Sequence, residues 1–279
     1  MDKILITGST GYLGACILTL LRSQGNFEID TLKGRLEDIE PKTLEYDLVI
    51  HSAAALRYRK NQQIDSNENG TRKLLEGLKE PTKIVYISSK SVYGTKRNGV
   101  LNEESTLLPD EEYGITKRNG EVDIISSQMP YLILRSSTLF GLGIDNLGSA
   151  FPSTATKKLV FGNKINLFTP DVNHEYLYVK DLANIVVRLI EKNERWNNIY
   201  NVSGPTHSLF SLFKEIEEQL KSKSITPDVI NKVHHIKPDQ FFLDTSKLEN
   251  MLGANIYTPT GKIVDEMLSY ILFMDRANK

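Results

Sequence analysis

A chain of 279 residues, 40% hydrophobic and 25% charged, has the composition of a folded globular protein and can form one large α/β domain, or a main domain with a smaller lobe. A net charge of −1 gives no electrostatic footprint for nucleic acid or an anionic membrane, and the longest apolar runs, such as "YLILRSSTLFGLG", are too short to span a bilayer. The one cysteine, Cys16, excludes an internal disulfide and fits a reducing compartment, so a cytoplasmic location is expected.

In chain order, "KILITG" (3–8) is a short β-branched run ending in glycine, as a buried parallel strand does. "GACILTLLRSQG" (14–25) follows with helical spacing and Gly25 as its C-terminal cap. "FEIDTL" (27–32) and "YDLVIHSAA" (46–54) read as the second and third strands. The link between them leaves room for a turn or a brief helix only. A helix over "NENGTRKLLEGLKE" (67–80), the strand "KIVYISS" (83–89), a helix holding Tyr113 and the strand "YLILRSS" (131–137) come next. After "EYLYV", the helix "KDLANIVVRLIEKN" and the strand "IYNVSG", the tail is mostly helical. Asp181 is expected to cap or orient the helix in which it lies.

This alternation predicts an α/β fold: a doubly wound parallel sheet of the Rossmann type, with a smaller, mostly helical C-terminal substrate lobe. The expected dinucleotide-binding domain comprises 1–140 and 164–203, and the lobe 141–163 and 204–279.

"TGSTGYLG" places glycines at 8, 11 and 14 between the first strand and the first helix, the context a dinucleotide-binding turn needs. Gly8 permits the tight turn, Gly11 lets backbone approach a pyrophosphate, and Gly14 allows close helix packing. Thr10, Tyr12 and Leu13 complete the turn, and the helix start offers N–H groups and a positive dipole end to phosphate. NAD preference comes from an acid at the end of the second strand, but Asp30 falls inside it. Just beyond lie Lys33 and Arg35, which would welcome a 2′-phosphate. NADP(H) is the expected cofactor, with NAD(H) the alternative.

"EEYGITKRNGE" (111–121) sets Tyr113 and Lys117 four positions apart, on one face of a helix. About two dozen residues upstream, "YISSKSVYG" ends a strand in serines. Together with "TGSTGYLG", "DLVIHSAA", "NENGTRKLLE", "YGITK", "LRSSTLFG", "EYLYVKDLA", "YNVSG" and "LDTSKLENMLG", these stretches make the sequence resemble the extended short-chain dehydrogenase/reductase family, in its nucleotide-sugar epimerase, dehydratase and reductase branch.

That resemblance implies an active site of Ser89, Tyr113 and Lys117, with Ser89 three positions before the valine of the "VYG" turn. A free phenol has a pKa near 10, and moving it to neutrality takes roughly 4 kcal/mol of differential stabilisation, which Lys117 and an oxidised nicotinamide can supply. Tyr113 would then exchange a proton with substrate while hydride passes to or from the nicotinamide, and Ser89 would orient the same oxygen. The resemblance further implies that Ser52, Ala53, Ala54 and Ala55 underlie the ribose and pyrophosphate, that Asp38 and Ile39 meet the adenine edge, and that Ser136 and Ser137 lie beside the nicotinamide. Substrate contacts would come from Ser89, Ser91, Tyr113 and His174. His174 stands where the family carries an arginine, so diphosphate binding could shift to Lys158 or Lys164.

Dehydratases of this branch carry an Asp-Glu pair after the active hydroxyl residue. Lys90 and Ser91 stand there, which argues against water elimination. The expected activity is an NAD(P)-dependent oxidoreductase or epimerase acting on a nucleoside-diphosphate sugar, with keto-reduction favoured over 4-epimerisation. Reduction of a small hydrophobic ketone or aldehyde is one alternative, and dinucleotide binding without turnover another. No metal is expected, because "HH" at 234–235 lacks an accompanying ligand cluster. A homodimer paired through the helices around Tyr113 is possible by the same resemblance.

Overall fold

Each central strand is an apolar, β-branched run because helices cover both faces of the sheet. In a computed structural model that describes residues 2–32, 34–55, 66–79, 81–167, 173–192, 195–231, 240–253 and 256–277, these runs are β1 (Lys3–Thr7), β2 (Glu28–Thr31), β3 (Leu48–His51), β4 (Lys83–Ser89), β6 (Tyr131–Ser136) and β10 (Asn198–Val202). The short β5 (Gly99–Leu101) lies outside this sheet. All six strands are parallel, in the order β10-β6-β4-β3-β1-β2. Helices α1 (Tyr12–Gln24), α2 (Ser66–Gly77) and α3 (Glu112–Ser126) connect them. Fully buried Ile4, Ile6, Val49, Ile50, Ile84, Val85 and Ile133 form the centre. Each such side chain contributes about 1.5–3 kcal/mol of burial.

The connection from β2 to β3 makes a single 3₁₀ turn, Leu36–Asp38, and is then stitched to the end of α2. Lys42 and Leu44 donate backbone bonds to the Glu76 and Gly77 carbonyls, and Lys79 donates back to Leu44. A Cβ on Gly77 would come 2.3 Å from Ile39 Cγ2, so glycine there lets α2 lie on the turn.

The chain divides into two compact units. The first comprises Met1–Ser136, Leu182–Val202 and Asp239–Ala254, and the second Ser137–Asp181, Ser203–Pro238 and Asn255–Lys279. These units differ from the domain bounds expected from sequence, including at 137–140, where β7 (Thr138–Phe140) lies in the second unit. Residues 164–181 do not join the nucleotide-binding unit: β9 (Asn173–Tyr178) pairs in parallel with β7 and antiparallel with β11 (Thr206–Ser208), while β8 (Ile165–Leu167) pairs with β12 (Val229–Asn231). Conversely, 239–254 returns to the first unit. There β13 (Phe241–Leu243) pairs with β5, and α7 (Ser246–Leu252) packs on β10. The return is pinned by buried Asn201, whose Nδ2 donates to the Leu101 and Asp244 carbonyls.

The second unit also contains α4 (Phe151–Val160), the first turn of α5 (Val179–Lys192), α6 (Leu209–Ser222) and α8 (Thr260–Ala277). A cleft of about 610 Å³ lies beside α4 and α8, lined by Leu147, Phe161, Tyr270 and Met274 among others. Asp181 does not cap its own helix, because its carboxylate accepts from Thr258 N at 2.8 Å and Thr258 Oγ1 at 2.6 Å. Among the described residues, no helix is long and apolar enough to cross a membrane.

Candidate active site

The chain leaves β1 for β2 on one side and returns to β3 on the other, so the strand order reverses between β1 and β3. A crevice at their carboxyl ends is where a doubly wound sheet receives a ligand. Gly8, with φ +69°, turns the chain out of β1, and a Cβ there would lie 2.7 Å from Ala53 N and Cα. A Cβ on Gly14 would lie 2.1 Å from Gly8 O and 2.8 Å from Ser52 Oγ. Both glycines are therefore required by close approach. Gly11 N–H donates to Gly8 O at 2.8 Å, and Gly11 starts α1 with no side-chain cap and no acid in the first turn. An uncapped, acid-free helix start suits an anion.

Across the crevice, Ser52 Oγ donates to Thr7 O at 2.7 Å, and Ala53 N–H reaches Thr7 Oγ1 at 3.3 Å. Buried Asn67, which sequence reading passed over, brackets Ala55: its Oδ1 accepts from Ala55 N at 2.6 Å and its Nδ2 donates to Ala55 O at 3.1 Å. Its only trace in the sequence was its place in the "NENG" motif. Ala53 and Ala54 remain partly open, whereas Ala55 is buried.

At the far end of this edge, Asp30 lies within β2, bonded by Tyr46 Oη at 3.0 Å and 3.6 Å from Lys3 Nζ. Arg35 is exposed, and Lys33 lies outside the described residues, as do His234 and His235. Asp38 is exposed, but the Ile39 side chain is in the core with Leu74 and Leu78. Asp38 thus supplies the exposed side chain at this corner.

The second half of the site is built on β4 and α3. β4 ends at Ser88 and Ser89, whose side chains point to opposite faces. Ser88 is buried and donates to Glu121, whose carboxylate is held by the Arg135 guanidinium at 2.8–3.2 Å. Ser89 is half-buried and begins the 3₁₀ turn Lys90–Tyr93, its Oγ accepting from Ser91 N and donating to Ser91 Oγ, both at 3.2 Å. Lys90 Nζ lies over the Phe241 ring, 4.7 Å from its centroid, so neither position after Ser89 carries a carboxylate.

Helix α3 docks on this turn at Gly114, where a Cβ would lie 2.4 Å from Ser91 O. Half-buried Tyr113 directly precedes that contact. One turn on, Lys117 is 2% exposed and its Nζ donates to Ile87 O at 2.8 Å. Burial pushes its ammonium down to about 8, against the pull of Glu121. Beneath it His51 is buried, and desolvation, aided by the Lys117 charge, pushes its imidazole down to about 3.

Ser136 is tied back to the sheet, its Oγ donating to Ser88 O at 3.2 Å. Ser137, immediately after β6, is 4% exposed, and its hydroxyl has no partner among the described residues. A buried hydroxyl left unpaired costs about 1–3 kcal/mol, which a polar ligand atom would relieve. His174 belongs to the second unit, on β9, where its ring stacks on Tyr176 at 5.7 Å. Lys158 and Lys164 are exposed in the same unit, with Lys164 3.9 Å from Asp228.

The model of the NAD dependent epimerase/dehydratase family matches residues 4–203. The chain belongs to that family. Its curated relatives include the GDP-6-deoxy-D-talose 4-dehydrogenase of Aggregatibacter actinomycetemcomitans, 25% identical over 95% of this chain and 96% of that one. The dTDP-4-dehydrorhamnose reductase of the same organism is 24% identical over 69% of this chain and 68% of its own. Among solved structures, the UDP-glucuronic acid 4-epimerase of Bacillus cereus, in complex with UDP-glucuronic acid and NAD, superimposes with a TM-score of 0.82 at 20% identity, covering 98% of this chain and 99% of that one. RMD from Pseudomonas aeruginosa, complexed with NADPH, gives 0.78 at 20% identity over 98% and 100%. Family membership makes this chain an NAD(P)-dependent oxidoreductase or epimerase on the doubly wound fold those structures share. The glycine turn and the uncapped start of α1 fit such a cofactor.

Proposed function

We propose that the chain is a keto-reductase of a nucleoside-diphosphate sugar, with Ser89, Tyr113 and Lys117 as its catalytic residues. The observation that carries this reading is the docking of α3, where Gly114 on Ser91 O and Lys117 on Ile87 O set Tyr113 at the carboxyl end of β4. A bound nicotinamide supplies hydride transfer at the sugar carbon. Tyr113 gives its phenolic proton to the carbonyl oxygen, and Ser89 donates a hydrogen bond to that oxygen. Lys117, charged below about pH 8, stabilises the phenolate left behind. The turn around Gly8, Gly11 and Gly14 holds the pyrophosphate, with Ser52–Ala55 across the crevice, and Asp38 meets the adenine.

Arg35 favours NADPH through the 2′-phosphate, so Arg35→Ala should weaken NADPH about tenfold and leave NADH unchanged in a binding titration. Equal weakening of both would reverse the cofactor assignment. The substrate class rests on the relatives' sugar-nucleotide activities, and reduction rests on the short β2–β3 connection and the relative named a dTDP-4-dehydrorhamnose reductase. A 4-epimerase is the second reading, favoured by the superposition on the UDP-glucuronic acid 4-epimerase. Purified protein offered GDP-, dTDP-, UDP- and CDP-linked 4-keto sugars should consume NADPH with one of them. Interconversion of two sugars without net cofactor consumption would select the epimerase, and activity confined to small ketones would remove the sugar nucleotide. In either enzyme Tyr113→Phe should lower turnover by about 10²–10⁴-fold with cofactor affinity intact. Full turnover would refute the role of the phenol.

We further propose a homodimer through α3, whose Ile115, Val122 and Ile125 are 43%, 45% and 42% exposed on one helical face.

A further inference from the structure

The Lys117 ammonium is buried, yet among the described residues no carboxylate lies within ion-pair reach of it. Among the described residues its one hydrogen bond is to Ile87 O at 2.8 Å. Glu121, one turn further along α3, attracts it, but that carboxylate is held bidentately by Arg135 and also accepts from Ser88. Among the described residues, the charged and titratable groups that interact with the ammonium are therefore few: Glu121 on α3, His51 on β3 and Tyr86 on β4, while Tyr113 acts on the Tyr86 phenol. His51 does not repel it, because its ring is neutral. Thr71 gives its hydroxyl proton to Asn67 O at 2.7 Å and so accepts from His51 Nε2 at 3.0 Å, while Nδ1 accepts from Thr7 Oγ1 at 2.7 Å.

What remains is Tyr86. Its ring is 1% exposed, and Lys117 Nζ lies 4.7 Å from the ring centroid. A cation within about 6 Å of an aromatic face is attracted by the ring quadrupole, most strongly where water is excluded. The hydroxyl end of the ring is packed against Gly120, where a Cβ would come 2.5 Å from Tyr86 Oη, and the ring lies tilted at 41° to His51 with 5.4 Å between centroids. Burial, with the Tyr113 charge added, keeps the Tyr86 phenol protonated and its ring electron-rich.

We propose that the Tyr86 ring face seats the Lys117 ammonium, making Tyr86 a positioning residue that keeps the lysine charged beside Tyr113. The proposal rests on the reading that Lys117 acts on Tyr113. The seat itself is a property of the cofactor-free chain and is tested there.

The test replaces Tyr86 by phenylalanine and then by its 4-fluoro, 3,5-difluoro and 3,4,5-trifluoro analogues. Fluorination drains the ring face stepwise while its shape is almost unchanged. The Lys117 side-chain ¹⁵N or ¹³Cε signal, assigned by its loss in Lys117→Arg, is titrated with pH in each variant without cofactor. Phenylalanine should leave the midpoint near that of the parent, and the series should lower it progressively by about one unit in all. A constant midpoint across the series would overturn the seat. That result is distinct from failure of the catalytic reading, which shows as full turnover in Tyr113→Phe.

Discussion

His51 ends β3 with both ring nitrogens bonded, and its imidazole is pushed down to about 3 by burial and by Lys117. A base whose folded pKa lies below its unfolded value near 6.5 contributes stability that is complete above pH 6.5 and is lost as pH falls towards 3. Between pH 7.5 and 5 the parent should therefore lose about 2 kcal/mol more than His51→Gln in urea unfolding at the two pH values. An equal loss in both would mean that the ring protonates in place. Sequence offered only "VIHSAA" here, and burial of a histidine depends on what packs above and below the strand. Tyr113, Lys117 and Ser89 were legible as residues because their spacing is local. That Ser88 turns inwards to Glu121 while Ser89 starts the 3₁₀ turn also follows from strand alternation. That Arg135 would clamp Glu121 does not, since the two meet only when α3 lies across β6.

Helix α3 inverts the usual amphipathic pattern. Thr116, Lys117 and Glu121 are buried beside Ile124, its one fully buried isoleucine, whereas Ile115, Val122 and Ile125 are exposed. A helix chosen for core packing alone buries its isoleucines. This one gives its inner face to chemistry and leaves an apolar stripe outside. The inversion rests on two glycines, Gly114 against Ser91 O and Gly120 against Tyr86 Oη. Gly114→Ala gains helix propensity, about 1 kcal/mol, but forces a backbone contact that sits 2.4 Å from the new Cβ. Overpacking of this kind costs about 1–3 kcal/mol, so the thermal midpoint should change little. Turnover should fall by about 10²-fold, because α3 and Tyr113 must move outward together. An unchanged kcat would show that the docking does not set the phenol. The helix was readable from its spacing, but the depth to which it docks is a property of the pair.

The homodimer belongs to the scale of the whole molecule. Val122→Glu with Ile125→Glu should convert a dimeric parent to monomer in sedimentation equilibrium, since both changes place charge on the exposed stripe. A parent that is already monomeric, or a double variant that remains dimeric, would remove the proposed interface. The division into units is likewise a whole-chain property. The last four residues of "NHEYLY" are buried like a central strand, yet the strand pairs with β7 and β11, and "FFL" near the end of the chain returns to pair with β5. Strand composition reports burial; it does not report partner.

The sequence by itself determined the doubly wound sheet, the glycine turn after β1 and the Tyr113–Lys117 pair, because each is written in short-range spacing that backbone geometry converts directly into shape. Tertiary structure alone decided that Arg135 clamps Glu121, where β9 and β13 pair, and what surrounds the lysine. Those outcomes depend on contacts between segments tens of residues apart. There, desolvation and packing act only after the chain has closed on itself.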